Sequence, residues 1–462
     1  MTDILKIGLA SGINGVVAPY IKAALFRAAA EHKRTVDLLE DGTELRRDAA
    51  DETTKLRDMK IASLDAARNL QRRGADAVLL SNIASEAFRT EVQAELSVPV
   101  FSLYTGAFDA VRASGKKKVG MLGFAVPADF IRASLPGFEI IEGSGTEDAR
   151  TDDPEAASRE CELLLGKGAE ILLPCCGREA GAAPELICRG YPVVDVFSLA
   201  CDALMADPPK RVPRGFKIGM IGGLGPAATV DLYDKVTRAT PAKTDQEHIK
   251  VVIEQNPQIA DRTAALLEGG PDPTLALYAC AKRLEEDECD AIIVPCNTAH
   301  AFLPYLERHI RIPFVNMQQA ALEEIQAKLG SKARIGLLAT TGTVRTGIYS
   351  KKAEAMGLPM FVPDDEHQKR VMAAIYGPRG AKAGFTDGVC RDDLMSGAEY
   401  LVKTYGCNCL ILGCTELPLI LDESDAFPVA GQNVTVVDPT SALARKIVRM
   451  ALKADEERGG IR

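Results

Sequence analysis

The sequence lacks the features of a membrane or exported protein. It contains no run of about 18 or more uninterrupted apolar residues, the length that a membrane-spanning helix requires. Its first residues, Met1 to Lys6, include Asp3 and have neither the basic flank nor the long apolar region of a signal peptide. We therefore expect a cytoplasmic protein with no membrane contact.

An excess of basic residues is also missing. The chain has 55 Lys and Arg against 64 Asp and Glu, whereas nucleic-acid binding needs a basic face. The short basic run Arg112 to Lys118 is better interpreted as a solvated turn. No low-complexity tract interrupts the chain, and its composition is that of an ordinary globular protein. Neither a nucleic-acid partner nor extensive disorder is expected.

The cysteines do not have the spacing of a disulfide framework or a zinc site. Twelve of them are scattered through a long chain, where they are typical of buried thiols or catalytic groups. Cys407, Cys409 and Cys414 lie close together, but alternate residues of one strand do not form a zinc chelate, and no histidine has a suitable spacing. We expect reduced thiols and no metal.

The chain is long enough for two domains of α/β class. Short runs rich in Val, Ile and Leu alternate with longer segments of helical periodicity, which predicts doubly wound parallel sheets. A segment with three prolines and three basic residues, 208–215, is the predicted linker. The predicted domains are therefore 1–207 and 216–462.

The two halves resemble each other in five stretches that occur in the same order, which indicates a tandem duplication. In this alignment Cys296 falls opposite Asn82, Cys414 opposite Cys176, and Glu416 opposite Arg178. The N-terminal copy therefore has one thiol where the C-terminal copy has two, and we interpret it as degenerate. The matched stretches are Ile7 to Gly12 with Ile218 to Gly223, Gly74 to Phe88 with Glu288 to Phe302, Val98 to Tyr104 with Ile312 to Gln318, Lys118 to Phe124 with Arg334 to Thr340, and Gly168 to Cys176 with Gly406 to Cys414.

Cys296 and Cys414 share one local pattern: a buried strand, the cysteine, a capping residue and a predicted helix. Asn297 or Thr298 is the expected cap after Cys296. Ligands bind beyond the carboxyl ends of parallel strands, and a helix N-terminus favours a thiolate. Two such thiols on opposite walls of one cleft could remove and return a proton at a stereocentre. The alternative is that both are small buried residues at tight turns.

Three motifs of the C-terminal half resemble the aspartate racemase branch of the aspartate/glutamate racemase family. They are IGGLGPAAT at 221–229, PCNTAH at 295–300 and GCTELP at 413–418, within a similarity that spans about 216–450. The resemblance implies two tandem racemase-like domains and a cofactor-independent racemase of aspartate or glutamate. It also implies that Cys296 and Cys414 are the acid/base pair and that no pyridoxal phosphate is used.

The resemblance further implies a set of substrate-binding residues. Asn297, Thr298 and the backbone of 341–343 are expected to hold the α-carboxylate, and Arg262 and Lys382 to face the second carboxylate. Glu416 could orient Cys414, bind the substrate ammonium or cap a helix, and His300 could support the site or lie at the surface. The full predicted binding set is Arg262, Lys382, Asn297, Thr298, Thr341, Gly342, Thr343, Thr415, Gly223 and Glu416.

Several alternatives stay open from the sequence. Gly223 to Ala228 fits the loose GxGxxA dinucleotide pattern of an NAD-dependent oxidoreductase, although Pro226 removes an amide from the phosphate-facing turn. A maleate isomerase, hydantoin racemase or decarboxylase could use the same cysteines, and a non-catalytic amino-acid sensor would turn nothing over. The expected partner is a small dicarboxylic amino acid. The repeat leaves a homo-oligomer and an intrachain pseudo-dimer open.

Overall fold

The chain forms two compact units, Met1–Arg214 and Gly215–Arg462. The computed structural model describes residues 4–11, 17–43, 51–143, 154–208 and 210–459. Gly12, the last residue of the first matched stretch, and Pro209 of the predicted linker lie outside the described residues. The predicted α/β class is confirmed, because helices alternate with strands that pair in parallel sheets.

The N-terminal unit contains two parallel sheets of order β2-β1-β3-β4 and β6-β5-β7. Its strands are β1 (Ile4–Ala10), β2 (Thr35–Asp41), β3 (Ala77–Leu80), β4 (Val100–Phe101), β5 (Lys118–Leu122), β6 (Glu139–Glu142) and β7 (Ile171–Pro174). Its helices are α1 (Ala18–Glu31), α2 (Glu52–Arg72), α3 (Arg89–Ala94), α4 (Ala107–Ala113), α5 (Ala128–Ser134), α6 (Pro154–Gly166), α7 (Gly177–Cys188) and α8 (Val196–Ala206).

The C-terminal unit also contains two sheets, of order β10-β8-β9 and β12-β11-β13-β15-β14, in which only β14 pairs antiparallel among the described strands. Its strands are β8 (Lys217–Gly222), β9 (Lys250–Gln255), β10 (Ala291–Ile293), β11 (Ile335–Ala339), β12 (Met360–Phe361), β13 (Cys409–Gly413), β14 (Ser424–Val429) and β15 (Gln432–Val437). Its helices are α9 (Pro226–Ala239), α10 (Arg262–Leu267), α11 (Thr274–Glu286), α12 (Leu303–Leu306), α13 (Met317–Leu329), α14 (Thr341–Thr346), α15 (Ser350–Ala355), α16 (Asp365–Tyr376), α17 (Val389–Tyr405) and α18 (Pro439–Glu457).

The strand orders of the two units correspond. β2-β1-β3 in the first unit has the same connectivity as β9-β8-β10 in the second, and β6-β5-β7 the same as β12-β11-β13. Among them, β1, β3, β5 and β7 and their counterparts β8, β10, β11 and β13 overlap the repeated sequence stretches. The sequence repeat therefore has a counterpart in topology.

The central strands of the C-terminal unit are apolar because helices cover both faces of their sheet. All residues of β11 and β13 are buried. Side chains alternate between the faces of a strand: Leu410 and Leu412 belong to the apolar cluster that contains α17, whereas Cys409 and Ile411 belong to the cluster that contains α13. This double burial explains the continuous Val, Ile and Leu runs of the sequence. No helix in the described part of the chain is long and apolar enough to cross a membrane.

Candidate active site

Cys296 and Cys414 line one cavity of the C-terminal unit. Cys296 lies in the loop after β10, and Cys414 directly follows β13. Both residues are buried, with exposed fractions of 8% and 6%. The cavity has a volume of about 310 Å³ including its mouth. Its lining residues are Leu224, Asp261, Arg262, Thr263, Cys296, Asn297, Thr298, Thr340, Tyr376, Lys382, Gly413, Cys414, Thr415 and Glu416.

Glu416 connects Cys414 to a cation. The thiol of Cys414 donates a hydrogen bond to Glu416 Oε2 at 3.0 Å, and the Thr415 hydroxyl donates to the same oxygen at 3.2 Å. Lys382 Nζ donates to Glu416 Oε1 at 2.7 Å and lies 5.2 Å from the centre of the Tyr376 ring. The Glu416 carboxylate thus bonds to the Lys382 ammonium through one oxygen and to the Cys414 thiol through the other.

The charges of this group set the protonation of Cys414. Burial raises the pKa of the Cys414 thiol well above its ordinary value, and the neighbouring Glu416 charge raises it further. Burial alone would also raise the pKa of Glu416, but the Lys382 ammonium and the hydrogen bonds outweigh it and lower that pKa. The same ion pair raises the pKa of Lys382 although burial opposes this. The arrangement therefore contains a thiol, a carboxylate and an ammonium.

The expected capped helices after the two cysteines are absent from the described residues, which corrects the sequence interpretation. Short 3₁₀ segments, Thr298–Ala301 and Leu417–Leu419, stand in their place, and no side chain caps either one. A helix of this length has little macrodipole, and burial next to a carboxylate acts in the opposite direction. A thiolate at Cys414 favoured by a helix N-terminus was therefore the wrong expectation.

His300 fixes the backbone of Cys296. Its Nδ1 lies 2.8 Å from the Cys296 carbonyl oxygen, and its Nε2 accepts a hydrogen bond from the Met317 amide at 3.2 Å. Nε2 is thus the acceptor and Nδ1–H the donor. His300 is buried, and burial lowers its pKa to about 4, so the ring is neutral at physiological pH. His300 therefore supports the site from behind Cys296 and does not lie at the surface.

Asn297 and Thr298 present polar groups to the cavity. Asn297 Oδ1 accepts a hydrogen bond from the Tyr349 hydroxyl at 2.7 Å, whereas its buried Nδ2 has no partner among the described residues. The Thr298 hydroxyl lies 3.0 Å from that of Thr343 and 3.3 Å from that of Thr340. The Tyr349 contact therefore orients the Asn297 amide so that its N–H groups remain available.

Arg262 is a buried cation held by backbone oxygens. Arg262 is the first residue of the short helix α10, and the preceding residue, Asp261, caps that helix. Nη1 donates to the carbonyls of Ile259 at 3.2 Å and Ala260 at 3.0 Å, and Nη2 donates to the carbonyl of Leu224. Nε has no partner among the described residues. A guanidinium has five N–H donors, so Nε and one further hydrogen on Nη2 remain available to an anion.

Eight of the twelve predicted site residues line the cavity; Thr341, Gly342, Thr343 and Gly223 do not. Thr343 lies behind the wall, bonded to Thr298. The amide of Thr341 points at the Met372 sulfur, and a Cβ on Gly342 would come within 3.1 Å of Thr263. Gly223 has a φ of +90°, and a Cβ there would lie 2.5 Å from the backbone of Asn256. These residues shape the fold around the cavity.

Six lining residues were not predicted from the sequence. Thr340 and Gly413 lie at the carboxyl ends of β11 and β13, so the rule that placed the cysteines at the crevice could also have found them. Leu224, Asp261 and Thr263 adjoin predicted residues. Tyr376 is the last residue of α16 and contacts Lys382, and no sequence signal marks it.

The corresponding residues of the N-terminal unit have different surroundings. Asn82 accepts a hydrogen bond from the Ala84 amide at 3.0 Å and caps a 3₁₀ helix. Cys176 precedes α7, and burial, with the Glu179 charge, raises its pKa to about 11. Cys176, the one thiol at the positions aligned with Cys296 and Cys414, is thus also held in the protonated form.

Known proteins that are similar to this chain include amino-acid racemases. Residues 221–447 match the model of the Asp/Glu/Hydantoin racemase family. The chain is 31% identical over 167 residues to the glutamate racemase of Aquifex pyrophilus, covering 36% of this chain and 60% of that protein. It is 23% identical to the broad specificity amino-acid racemase RacX of Bacillus subtilis, over 50% of this chain and 96% of that protein. The solved structure of Picrophilus torridus aspartate racemase is 30% identical, with 51% of this chain and 94% of that chain covered and a TM-score of 0.42.

Proposed function

We propose that this chain, which belongs to the Asp/Glu/hydantoin racemase family, racemises a small dicarboxylic amino acid in its C-terminal unit. Cys296 and Cys414 are the two groups that remove and return the α-proton. The observation that carries the proposal is that both thiols line one cavity together with two cationic side chains, Arg262 and Lys382. A two-base racemisation needs one acid and one base on opposite sides of the α-carbon.

The polar groups of the cavity suit the carboxylates of such a substrate. The free Nδ2 of Asn297 and the Thr298 hydroxyl are donors for the α-carboxylate. Lys382 and the unpaired edge of Arg262 are the cations for the distal carboxylate. Both thiols supply the proton transfers themselves, so we propose that the reaction requires no cofactor. The described residues contain no cluster of three His, Cys, Asp or Glu that could hold a metal.

The geometry around Gly225 does not favour the alternative of an NAD-dependent oxidoreductase. In a dinucleotide site the glycine-rich turn approaches a pyrophosphate. Here a Cβ on Gly225 would lie 2.7 Å from Glu416 Oε1, so this turn lies against a carboxylate. A negative charge at that position repels a phosphate, which supports the racemase over the oxidoreductase.

Cysteine variants test the proposal. Cys296→Ala and Cys414→Ala should each lower the racemisation rate of L- or D-aspartate or glutamate by at least about 10²-fold, the usual contribution of one acid/base group. The matched control is Cys176→Ala, at the aligned position in the N-terminal unit, which should leave the rate unchanged. Polarimetry or chiral chromatography measures the rate. Racemisation at the wild-type rate in either site variant would refute the assignment.

A further inference from the structure

Glu416 is the direct hydrogen-bond acceptor of the Cys414 thiol. Its Oε2 lies 3.0 Å from the Cys414 sulfur, while its Oε1 is 2.7 Å from Lys382 Nζ. Glu416 is buried, with an exposed fraction of 5%. Cys414 must lose its proton before it can act as a base, and among the described residues this carboxylate is the group that can take the proton directly.

We propose that the distal carboxylate of a bound dicarboxylic amino acid drives the proton of Cys414 onto Glu416, so that the thiolate forms in response to the substrate. This inference rests on the proposed function, because it assigns the proton path of the same racemase site. Lys382 is the residue through which the substrate acts, since it contacts Glu416 and is the proposed cation for the distal carboxylate.

The step is a proton transfer within one pair of residues. The S–H bond of Cys414 breaks, its electron pair stays on sulfur, and an O–H bond forms at Oε2 of Glu416. The total charge of the pair does not change, and no co-reactant is consumed. The thiolate then takes the α-proton of the substrate. In the opposite direction of racemisation the same steps run in reverse: Cys414 donates its proton to the α-carbon, and the resulting thiolate then recovers a proton from Glu416.

The substrate is needed because the transfer is unfavourable without it. In water a glutamate carboxyl is more acidic than a cysteine thiol by about 4 pKa units, and the Lys382 ammonium stabilises the carboxylate form further. A second carboxylate that shares Lys382 has the opposite effect, because adjacent carboxylates raise each other's affinity for a proton. The ammonium on the substrate's α-carbon favours the thiolate.

This proton path makes the distal carboxylate a trigger as well as a binding group. An amino acid of the same length without a second carboxylate can occupy the site, but it leaves the Lys382–Glu416 pair intact. Cys414 then stays protonated and cannot act as a base. A dicarboxylic amino acid should therefore have a higher kcat, as well as a lower KM, than an amino acid of the same length without the second carboxylate.

Binding without turnover provides the test. In a Cys296→Ala background, aspartate or glutamate binds but one of the two acid/base groups is missing. Thiolate formation is followed by ultraviolet difference absorbance, and calorimetry in buffers of different ionisation enthalpy counts the protons released. The amino acid that the wild type racemises should generate about one thiolate per chain with no proton release, since Glu416 receives the proton. Saturating 2-aminobutyrate, which lacks the distal carboxylate, should generate none.

Two further variants in that background identify the groups. Cys414→Ser should abolish the absorbance change. Glu416→Gln should abolish it too while aspartate still binds, and in the otherwise wild-type chain it should lower kcat by at least about 10²-fold with little change in KM. The matched control is Glu179→Gln, which removes the buried carboxylate beside Cys176 and should change neither quantity.

The outcomes separate this inference from the proposed function. Binding of the racemised amino acid without a thiolate, a thiolate accompanied by an equal release of protons, or a full signal in Glu416→Gln would each overturn the inference even if the wild type racemises its substrate. Failure of the wild type to racemise any amino acid would instead refute the proposed function.

Discussion

At the scale of single residues, the amide of Asn297 is the sharpest feature of the candidate site. A buried amide N–H without a partner costs free energy, which a bound carboxylate would recover. Tyr349 holds the oxygen end of the same amide, and the N–H end has no partner among the described residues. The binding group and the residue that orients it can therefore be tested separately.

Substituting these two residues should weaken substrate binding in graded fashion. Asn297→Ala should raise KM about 10-fold or more, because a hydrogen bond to a charged group contributes about 1.5 to 3 kcal/mol. Tyr349→Phe removes only the orienting hydrogen bond and should raise KM by a smaller factor. Steady-state kinetics measures both. An unchanged KM in Asn297→Ala would contradict the assignment of this amide to the α-carboxylate.

The sequence contained part of this residue-level information. Cys296 and Cys414 each follow a strand, and the position of strand ends in a parallel sheet is enough to predict that they border a crevice. The contact between Lys382 and Glu416 joins residues 34 positions apart, and it depends on how one loop folds over the sheet. No local pattern encodes that contact, which lowers the pKa of Glu416 against the effect of burial.

At the scale of elements, the loop that carries Lys382 determines where the cation lies. A 3₁₀ helix, Ala381–Ala383, is followed by Gly384 with a φ of +91°, a conformation that favours glycine. A Cβ added to Gly384 would meet no atom within 4 Å. Replacing this glycine therefore changes the backbone preference of the loop without creating a clash.

Gly384→Ala should displace Lys382 and raise KM for the dicarboxylic substrate. The backbone cost is about 1 to 2 kcal/mol. The matched control is Gly431→Ala in the β14–β15 hairpin, where φ is +83° and a Cβ would also meet nothing within 4 Å. Both variants should lose similar thermal stability, but only Gly384→Ala should change KM. Equal KM values in the two variants would show that the loop does not position the cation.

Elements were predicted well where apolar runs were long and poorly where helices were short. The strands β11 and β13 were recognisable because both faces are buried. The segments after the cysteines contain residues that could cap a helix, but these side chains make tertiary hydrogen bonds instead. Asn297 bonds to Tyr349, and Glu416 bonds to Cys414 and Lys382. A capping pattern in the sequence does not show whether the side chain will cap a helix or bond to a distant residue.

At the scale of the whole molecule, two units of corresponding strand order differ in the groups placed after their strands. The N-terminal unit has Asn82 and Cys176 where the C-terminal unit has Cys296 and Cys414, and Arg178 replaces Glu416. Sequence comparison could detect the repeat because the strands themselves are repeated. The role of the N-terminal unit stays a proposal: a degenerate copy without its own racemase activity.

Restoring the missing thiol should not restore a site. We expect Asn82→Cys in a Cys414→Ala background to remain inactive, because Cys176, which aligns with Cys414, has Arg178 two residues later where Cys414 has Glu416. The loss of the Asn82 cap should also cost about 1 kcal/mol of stability. Chiral chromatography after long incubation measures the activity. Recovered racemisation would show that the N-terminal unit retains a latent site.

The central claim is that two different thiols act on the two faces of one α-carbon. Its most direct test is racemisation of a single enantiomer in deuterated water, stopped at low conversion and analysed by mass spectrometry of each separated enantiomer. The base that removes the α-proton differs from the acid that delivers the solvent-derived deuteron. The product enantiomer should therefore carry deuterium, while the recovered substrate keeps its proton. Deuterium in the recovered substrate at the rate at which product forms would indicate a single base and contradict the account.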